Sequence, residues 1–548
     1  MGLVTTQRRR HRRRAAAAGL ALATCAAVTT ACSGGATSGA GSGPEGTPVR
    51  GGNLVYGLGA DANGFNPITD SFAPQTYAMA GTIIETLTTV DAAGQWRPLL
   101  AESLEPSKNA ARWTIRLREG ITFSNEQPLD AETVKANLDA QKASPLTAAV
   151  LAPVSGIELV DARTVQIDLE SPWVSFPYTL ASQIGMIVPQ IALTDPDKAS
   201  REPVGTGPFM FQSHTPDNRF IVKRNPAYWR EGLPYLDRVE FRILPDFQTR
   251  AQTLESGGLT AMATQRDNDI VKFGKLAEQG AYRLYRVAGM SVPEMAFMLN
   301  TAAGPTKDLR VRQAMAHATD RDAFIKTLRS GLTKPADGPW SPDSPWYVPG
   351  GYPAFDPAKA KALISEYERE KGPVQIELLS ISDQSSMQNA ELVQDMWKKA
   401  GIDVTIRQAD QADLIQRALM GNYSAIVWEQ FNRPDPDSSY SYLHSRFAQP
   451  VGSISINMSR IKDEQLSAAL DAGRAASDEA ARKKAYATVQ KRLRAELPFI
   501  WVDHLSTSAV VTKPNVHGLA QYKLPDGSAA KPLIGSPTHA FGQIWMGR

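Results

Sequence analysis

Between Val374 and Trp428 the sequence alternates three short apolar runs of period two with two longer helical ones, and this alternation leaves few folds open. The runs Val374–Leu378, Asp403–Arg407 and Ser424–Trp428 predict strands. The stretches between them, Ser385–Ala400 and Ala412–Met420, predict helices that stop at Gly401 and Gly421. Five such elements with short links imply a largely parallel α/β sheet. Just upstream, Asp356-Pro357 predicts an N-cap and first-turn proline for a helix with Ala360, Leu363, Ile364 and Tyr367 on one face, closed by Gly372. Ligands of such sheets bind beyond the carboxyl ends of the strands, so the loop after Trp428 is the first place to look for a site.

The first half reads differently. A strand is expected over Gly52–Leu58, followed by the loop Asp61–Pro67 and helical spacing from Tyr77 to Leu87. Trp113–Leu117 alternates as a half-buried strand, and Asp130 predicts the N-cap of a helix through Gln141 with Glu132 in its first turn. Val165, Ile167 and Leu169 predict a strand paired with Gly156–Val160 across the turn Asp161–Arg163. Several short strands are expected between Gly205 and Arg242, which makes this half α+β in style. Gly338–Pro357, rich in proline and tryptophan, predicts a long loop. No internal repeat is present.

Both cysteines, Cys25 and Cys32, fall in the first 32 residues, so the body of the chain has neither a disulfide framework nor a cysteine-based zinc site. Six arginines from Arg8 to Arg14 precede an acid-free apolar run, Ala15–Val28. That is the pattern of an export signal, and fourteen residues are too few for a bilayer core that takes about 20. The run ends in Thr29-Thr30-Ala31-Cys32-Ser33-Gly34, which resembles a bacterial lipobox, with Thr29 in place of the usual aliphatic residue. Residues 1–31 are therefore expected to be a signal peptide and Cys32 a lipidation site. Residues 32–48 would be a flexible Gly/Ser-rich tether, spanning roughly 20–24 Å r.m.s.. Cleavage before Cys32 would leave 53 basic against 56 acidic residues, turning the net charge from +3 to −3. A chain so balanced is not a basic nucleic-acid binder.

No phosphate loop, dinucleotide fingerprint, zinc-protease helix or nucleophile elbow is present. The seven histidines do not pair at metal spacing, and Asp435-Pro-Asp437 lacks the glycine a calcium loop needs, with Tyr440 in its place. No enzyme, metal or cofactor is expected. A secreted, lipid-anchored hydrolase is the alternative from another class, because carboxylates are plentiful enough to form a glycosidase pair.

A series of segments carries a resemblance. These are Gly51–Val55, Ile84-Glu-Thr-Leu87, Pro98–Ser103, Trp113–Phe123 with Pro128–Val134, Val204-Gly-Thr-Gly-Pro-Phe209, Arg224-Asn-Pro-Ala-Tyr-Trp229, Asp308–Ala314 with Ala318–Arg321, and Asp356–Ala360. In this order they resemble the extracellular solute-binding family 5, the receptors of peptide- and nickel-type ABC importers. The resemblance implies an α/β, two-lobed periplasmic-binding-protein-like fold (type II, cluster C-like) with a small inserted third domain. It divides the chain into lobe I (49–86, 204–300 and 504–548), an inserted domain (87–203) and lobe II (301–503). It also implies a monomer that takes a small-molecule or short-peptide ligand to an ABC permease from the outer face of the cytoplasmic membrane.

The chain departs from the family pattern twice. Gly257-Gly-Leu-Thr-Ala261 replaces an acidic motif at a structural edge. More consequentially, peptide-binding members carry an aspartate three residues after a tryptophan, and here Trp428 is followed by Glu429, Gln430 and Phe431. That weighs against general peptide transport and favours a small polar solute. Expected ligand contacts are Trp428, Glu429, Asn432, Arg433 and Asp435 around the switch-point loop, and Asn300 at a strand end. Phe65 and Asn66 join them by family analogy, and Trp340, with Trp346, as a pocket wall. Asp435 and Asp437 are also expected to form Asx turns beside the prolines.

Overall fold

The computed structural model describes residues 46–286, 293–430, 435–505, 509–520, 522–530 and 540–547. The expected signal, Cys32 and most of the tether lie outside the described residues, as do Phe431, Asn432 and Arg433.

Three sheets organise the chain. The first has seven strands in the order Arg283–Arg286, Ala509–Thr512, Ala261–Thr264, Asn53–Leu58, Arg238–Ile243, Arg219–Arg224, Phe209–Thr215. Its central strand, Asn53–Leu58, runs parallel to both neighbours. A four-stranded antiparallel sheet comes from Ala101–Pro106, Arg112–Leu117, Thr164–Leu169 and Val154–Asp161. Along Arg112–Leu117 the residues Trp113, Ile115 and Leu117 are buried while Arg112 and Arg116 face water, the period-two pattern of a sheet with one wet face.

The third sheet has six strands in the order Lys334–Pro335, Phe499–His504, Glu294–Leu299, Ala425–Gln430, Gln375–Ile381, Asp403–Ala409. Gln375–Ile381 lies parallel to both Asp403–Ala409 and Ala425–Gln430, as the alternation predicts. The connecting helices are Gln384–Lys399 and Gln411–Met420, and Asp383 and Asp410 cap them through their side chains. Gly421 ends the second helix at φ 74°, a left-handed conformation that suits glycine, and a Cβ there would also meet the Arg460 guanidinium. Asp356 caps the helix Pro357–Lys371, and Asp130 caps Ala131–Ala143, both as expected.

One element differs. The helix expected from Tyr77 to Leu87 spans only Pro74–Ala80. Beyond Gly81 the carbonyls of Thr82 and Ile83 accept from the amides of Phe209 and Gly207 instead of continuing the helix (3.0 and 2.7 Å). Gly205 and Gly207 make this approach possible, because a methyl group on either would collide with the Ile83 carbonyl oxygen. Next to this contact Glu85, fully buried, accepts hydrogen bonds from the Thr206 hydroxyl (2.8 Å), the Tyr228 hydroxyl (2.8 Å) and the Trp229 indole (2.7 Å). Three of the segments that carry the family resemblance thus meet at one carboxylate inside the first lobe.

The chain passes between the first and third sheets at two places. Arg286 pairs with Ala509 in the first sheet, and Glu294 pairs with His504 in the third. Both passages therefore leave one sheet as neighbouring antiparallel strands and enter the other as neighbours.

Candidate functional site

The strands Gln375–Ile381, Asp403–Ala409, Ala425–Gln430 and Phe499–His504 all run in one direction, antiparallel to Glu294–Leu299. Their carboxyl ends lie at the edge of the third sheet where the chain leaves for the first. On this edge Trp428 and Glu429 point to opposite faces. Trp428 is level with Ala296 and Trp501, half-buried against the core beneath the helices Glu464–Ala475 and Glu479–Glu496. Glu429 is level with Met295 and Asp503 on the other face.

Water still reaches Glu429, yet surrounding protein raises its carboxyl above the usual range; Arg329 opposes the rise, and Asp383 and Asp503 add to it. Asp503 is fully buried and accepts from Arg329 (3.0 Å) and Thr333 (2.8 Å). Asp267, the first residue of the helix Asp267–Glu278 beside the seven-stranded sheet, is within electrostatic reach of Arg329 and Asp503. Burial pushes its carboxyl up to about 6, Arg329 pulling it back and Asp503 adding to the rise.

A cavity of about 250 Å³ opens on the Asp435 side. Leu146, Val150, Pro153 and Ile184 form an apolar wall, and Asp435, Ser438, Tyr440, Ser441 and Tyr442 belong to the opposite one. Trp173, Ser175 and Tyr178, from the segment that follows the four-stranded sheet, close its floor. Ten of the lining side chains carry a hydroxyl. Those of Tyr77, Thr179, Ser438 and Ser441 make no hydrogen bond among the described residues.

The cavity's charges cancel in pairs. Asp435 is buried and caps the short turn Pro436–Ser439 by accepting from the Asp437 amide (3.0 Å), the expected Asx geometry. The same oxygen accepts from Arg482 (2.8 Å), and the other one has no partner among the described residues. Burial raises the Asp435 carboxyl, and Arg482 opposes that rise. Asp437 does not form the expected Asx turn. Its carboxylate is held by Arg474 in a fork (2.8 and 3.1 Å) and accepts from the Trp173 indole (2.7 Å) and the Ser175 hydroxyl (2.8 Å). Arg474 lies in the last turn of Glu464–Ala475, where a cation suits the helix dipole, with its guanidinium over the rings of Tyr440 and Trp173.

Five residues expected at the ligand are placed elsewhere. Phe65 is buried against Phe220 and His214, and Asn66 is buried and donates to the carbonyl of Ala192. Asn300 is buried at the far end of its strand, donating to the carbonyls of Gly421 and Tyr423, so it braces backbone. Trp340 packs edge-on to Tyr486 in the core, and Trp346 packs on the same ring beneath Arg482. Phe65, Asn66 and Asn300 are taken up by packing or backbone hydrogen bonds, whereas the buried Trp340 indole N–H has no partner among the described residues. Conversely, Trp173, Ser175, Tyr178 and Arg474 reach the cavity without any motif to announce them. The only sequence signal was a tryptophan and a serine in the polar, proline-containing stretch Ser171–Ser175.

Two sheet-based lobes around a polar cavity define a binding protein of the closing type. Residues 95–449 match the family described as bacterial extracellular solute-binding proteins, family 5 (middle), and the chain belongs to that family. It is 27% identical over 470 residues to the nickel-binding periplasmic protein of Escherichia coli K12, covering 81% of this chain and 88% of that one. It is 26% identical to the dipeptide-binding protein of the same organism, over 76% and 82% of the two chains. Among solved structures, DppA of Helicobacter pylori with the peptide STSA superposes with a TM-score of 0.79 at 23% identity (91% of this chain, 99% of that one). AgaA of A. tumefaciens R10 with agropinic acid gives 0.76 at 26% identity, over 91% and 99%. These superpositions agree with the two-lobed α/β fold expected from the sequence.

Proposed function

We propose that this chain is the solute receptor of an ABC importer, that it takes a small, polar, uncharged solute between its lobes, and that Cys32 anchors it by lipid to the outer face of the cytoplasmic membrane. One observation carries the choice of solute. Both carboxylates of the cavity wall are each paired with a guanidinium, Asp437 with Arg474 in the wall and Asp435 with Arg482 behind it, while hydroxyls with no bond among the described residues remain on the walls. A ligand ammonium would enter a site with no spare counter-charge, and an uncompensated buried charge costs several kcal/mol. Hydroxyl or amide groups meet no such cost, and the half-buried ring of Tyr178 lines the same space.

Size supports the same reading. About 250 Å³ equals roughly eight waters at about 30 Å³ each, room for a monosaccharide-sized solute. The proposed division is lobe I (49–86, 204–300, 504–548), insertion (87–203) and lobe II (301–503), with one bound corrected: Glu294–Leu299 is an inner strand of the six-stranded sheet, so the change of lobe falls before Glu294 and not at 300.

Free peptides are the second reading, favoured by the relatives named for dipeptides and by the unpartnered oxygen of Asp435. Calorimetry with a panel of neutral saccharides, run beside free and N-acetylated di- to pentapeptides, separates the two. Saturable binding of a neutral probe, weakened at least about tenfold by Ser438→Ala with Ser441→Ala, is the expected result. Binding of free-amine peptides that acetylation abolishes would establish the peptide reading, and conversion of any probe to product would establish a hydrolase. For the anchor, Cys32→Ala is expected to move the protein from the membrane to the soluble fraction; retention on the membrane rejects it.

A further inference from the structure

Asp437 is buried, yet its four hydrogen bonds do not come from one part of the molecule. Two come from Arg474, which shares its lobe, on the last turn of a helix packed under the six-stranded sheet. The other two come from Trp173 and Ser175, more than 260 residues earlier, in the segment leaving the four-stranded sheet. A backbone bond from the Val174 amide to the Arg474 carbonyl (3.0 Å) lies between them. Arg474 also stacks at once on Trp173 and Tyr440, one ring from each side of the cavity.

We propose that Asp437, held by Arg474, is an interlobe latch that stabilises the closed arrangement of the protein whether or not a solute is bound. The fork to Arg474 stays within one lobe and fixes the carboxylate, so opening breaks the bonds from Trp173 and Ser175 to Asp437, the Val174 amide bond to the Arg474 carbonyl and the stacking of Arg474 on Trp173. The latch is then preorganised: the carboxylate does not have to be desolvated afresh each time the lobes meet, because the guanidinium already neutralises it. Arg474 thereby acts as a positioning residue for Asp437. A ligand competes with water for the cavity walls but need not supply all of the closing free energy, which sets the balance between empty-open and empty-closed receptor.

This inference rests on the lobes opening and closing, as the proposed function requires, but not on which solute they take. Small-angle scattering of the purified, unliganded protein tests it. Wild type is expected to contain a compact population, and Ser175→Ala or Trp173→Phe to lower the closed-to-open ratio by about tenfold, the worth of one hydrogen bond to a charged acceptor. Asp437→Asn is expected to lower it further. Ser175→Ala keeps the Asp437–Arg474 pair and so remains informative if Asp437→Asn fails to fold. A merely structural role would lower the melting temperature without changing the dimensions of the folded protein. An unliganded wild type that scatters as a fully open form, or identical curves for wild type, Ser175→Ala and Trp173→Phe, overturns the latch. Failure of every saccharide and peptide to bind would count against the proposed function and leave the scattering result standing.

Discussion

Glu85 and Asp437 are chemically similar and do different work. Each is a buried carboxylate that accepts from a tryptophan indole and a hydroxyl, at 2.7 and 2.8 Å in both cases. Around Glu85 every donor is a neutral side chain, and all of them come from the first lobe and the loops packed on it. Around Asp437 a guanidinium supplies half of the bonds and the neutral donors cross from another part of the chain. A carboxylate satisfied only by neutral donors suits a junction that stays shut, because once opened to water its charge would have to be desolvated again on closing with no cation to offset the cost. One that keeps its cation through the motion suits a junction that opens.

The contrast breaks most sharply at Glu85. Glu85→Ala leaves three inward-facing donors without an acceptor and is expected to cost about 5 kcal/mol, enough to be seen as loss of soluble protein or a large fall in the denaturant midpoint. Arg482→Ala comes next, because it strips the cation from the buried Asp435; about 3 kcal/mol is expected by equilibrium unfolding. Ser175→Ala, on the opening junction, is expected to change global stability by only about 1 kcal/mol while shifting the scattering profile. A loss at Ser175 as large as that at Glu85 would erase the distinction.

The smallest effect sharpens the comparison through pH. Asp267 titrates at about 6 in the folded protein, above its ordinary value of about 3.9, so the folded state favours its protonated form. Its stabilising contribution is full below about pH 3.9 and is lost as pH rises through about 6. Asp267→Asn cannot ionise, so it is expected to melt about a degree higher than wild type at neutral pH and at the same temperature near pH 4. After discounting for solvent access that is under about 1 kcal/mol. Equal melting temperatures at both pH values would show that Asp267 ionises freely.

What the sequence revealed, and what it hid, follows the range of the interactions. Caps at Asp130 and Asp356, the glycine stop at Gly421 and the parallel strands after Val374 were all legible, because each depends on residues a few positions apart. The shortened helix at Pro74–Ala80 was not, because the carbonyls that end it are claimed by Gly207 and Phe209, more than 120 residues away. The site divided in the same way. The strand-end rule led to the loop that carries Asp435, whose turn geometry is local. Asn300 and Trp340 looked like ligand contacts because their hydrogen-bond and packing partners lie far along the chain. Three of the family segments build the Glu85 junction, where one buried carboxylate takes three side-chain donors.

The paired passages between the first and third sheets have a mechanical consequence. A single connection would let one lobe swing and twist about a point. Two connections that begin as partners at Arg286–Ala509 and end as partners at Glu294–His504 define a line instead. A relative motion about that line would keep both end pairs intact, while torsion across it would work against the pairing at Arg286–Ala509 and Glu294–His504. For the proposed receptor this would leave the lobes close to one degree of freedom, so that each closing would return Ser175 to the same carboxylate.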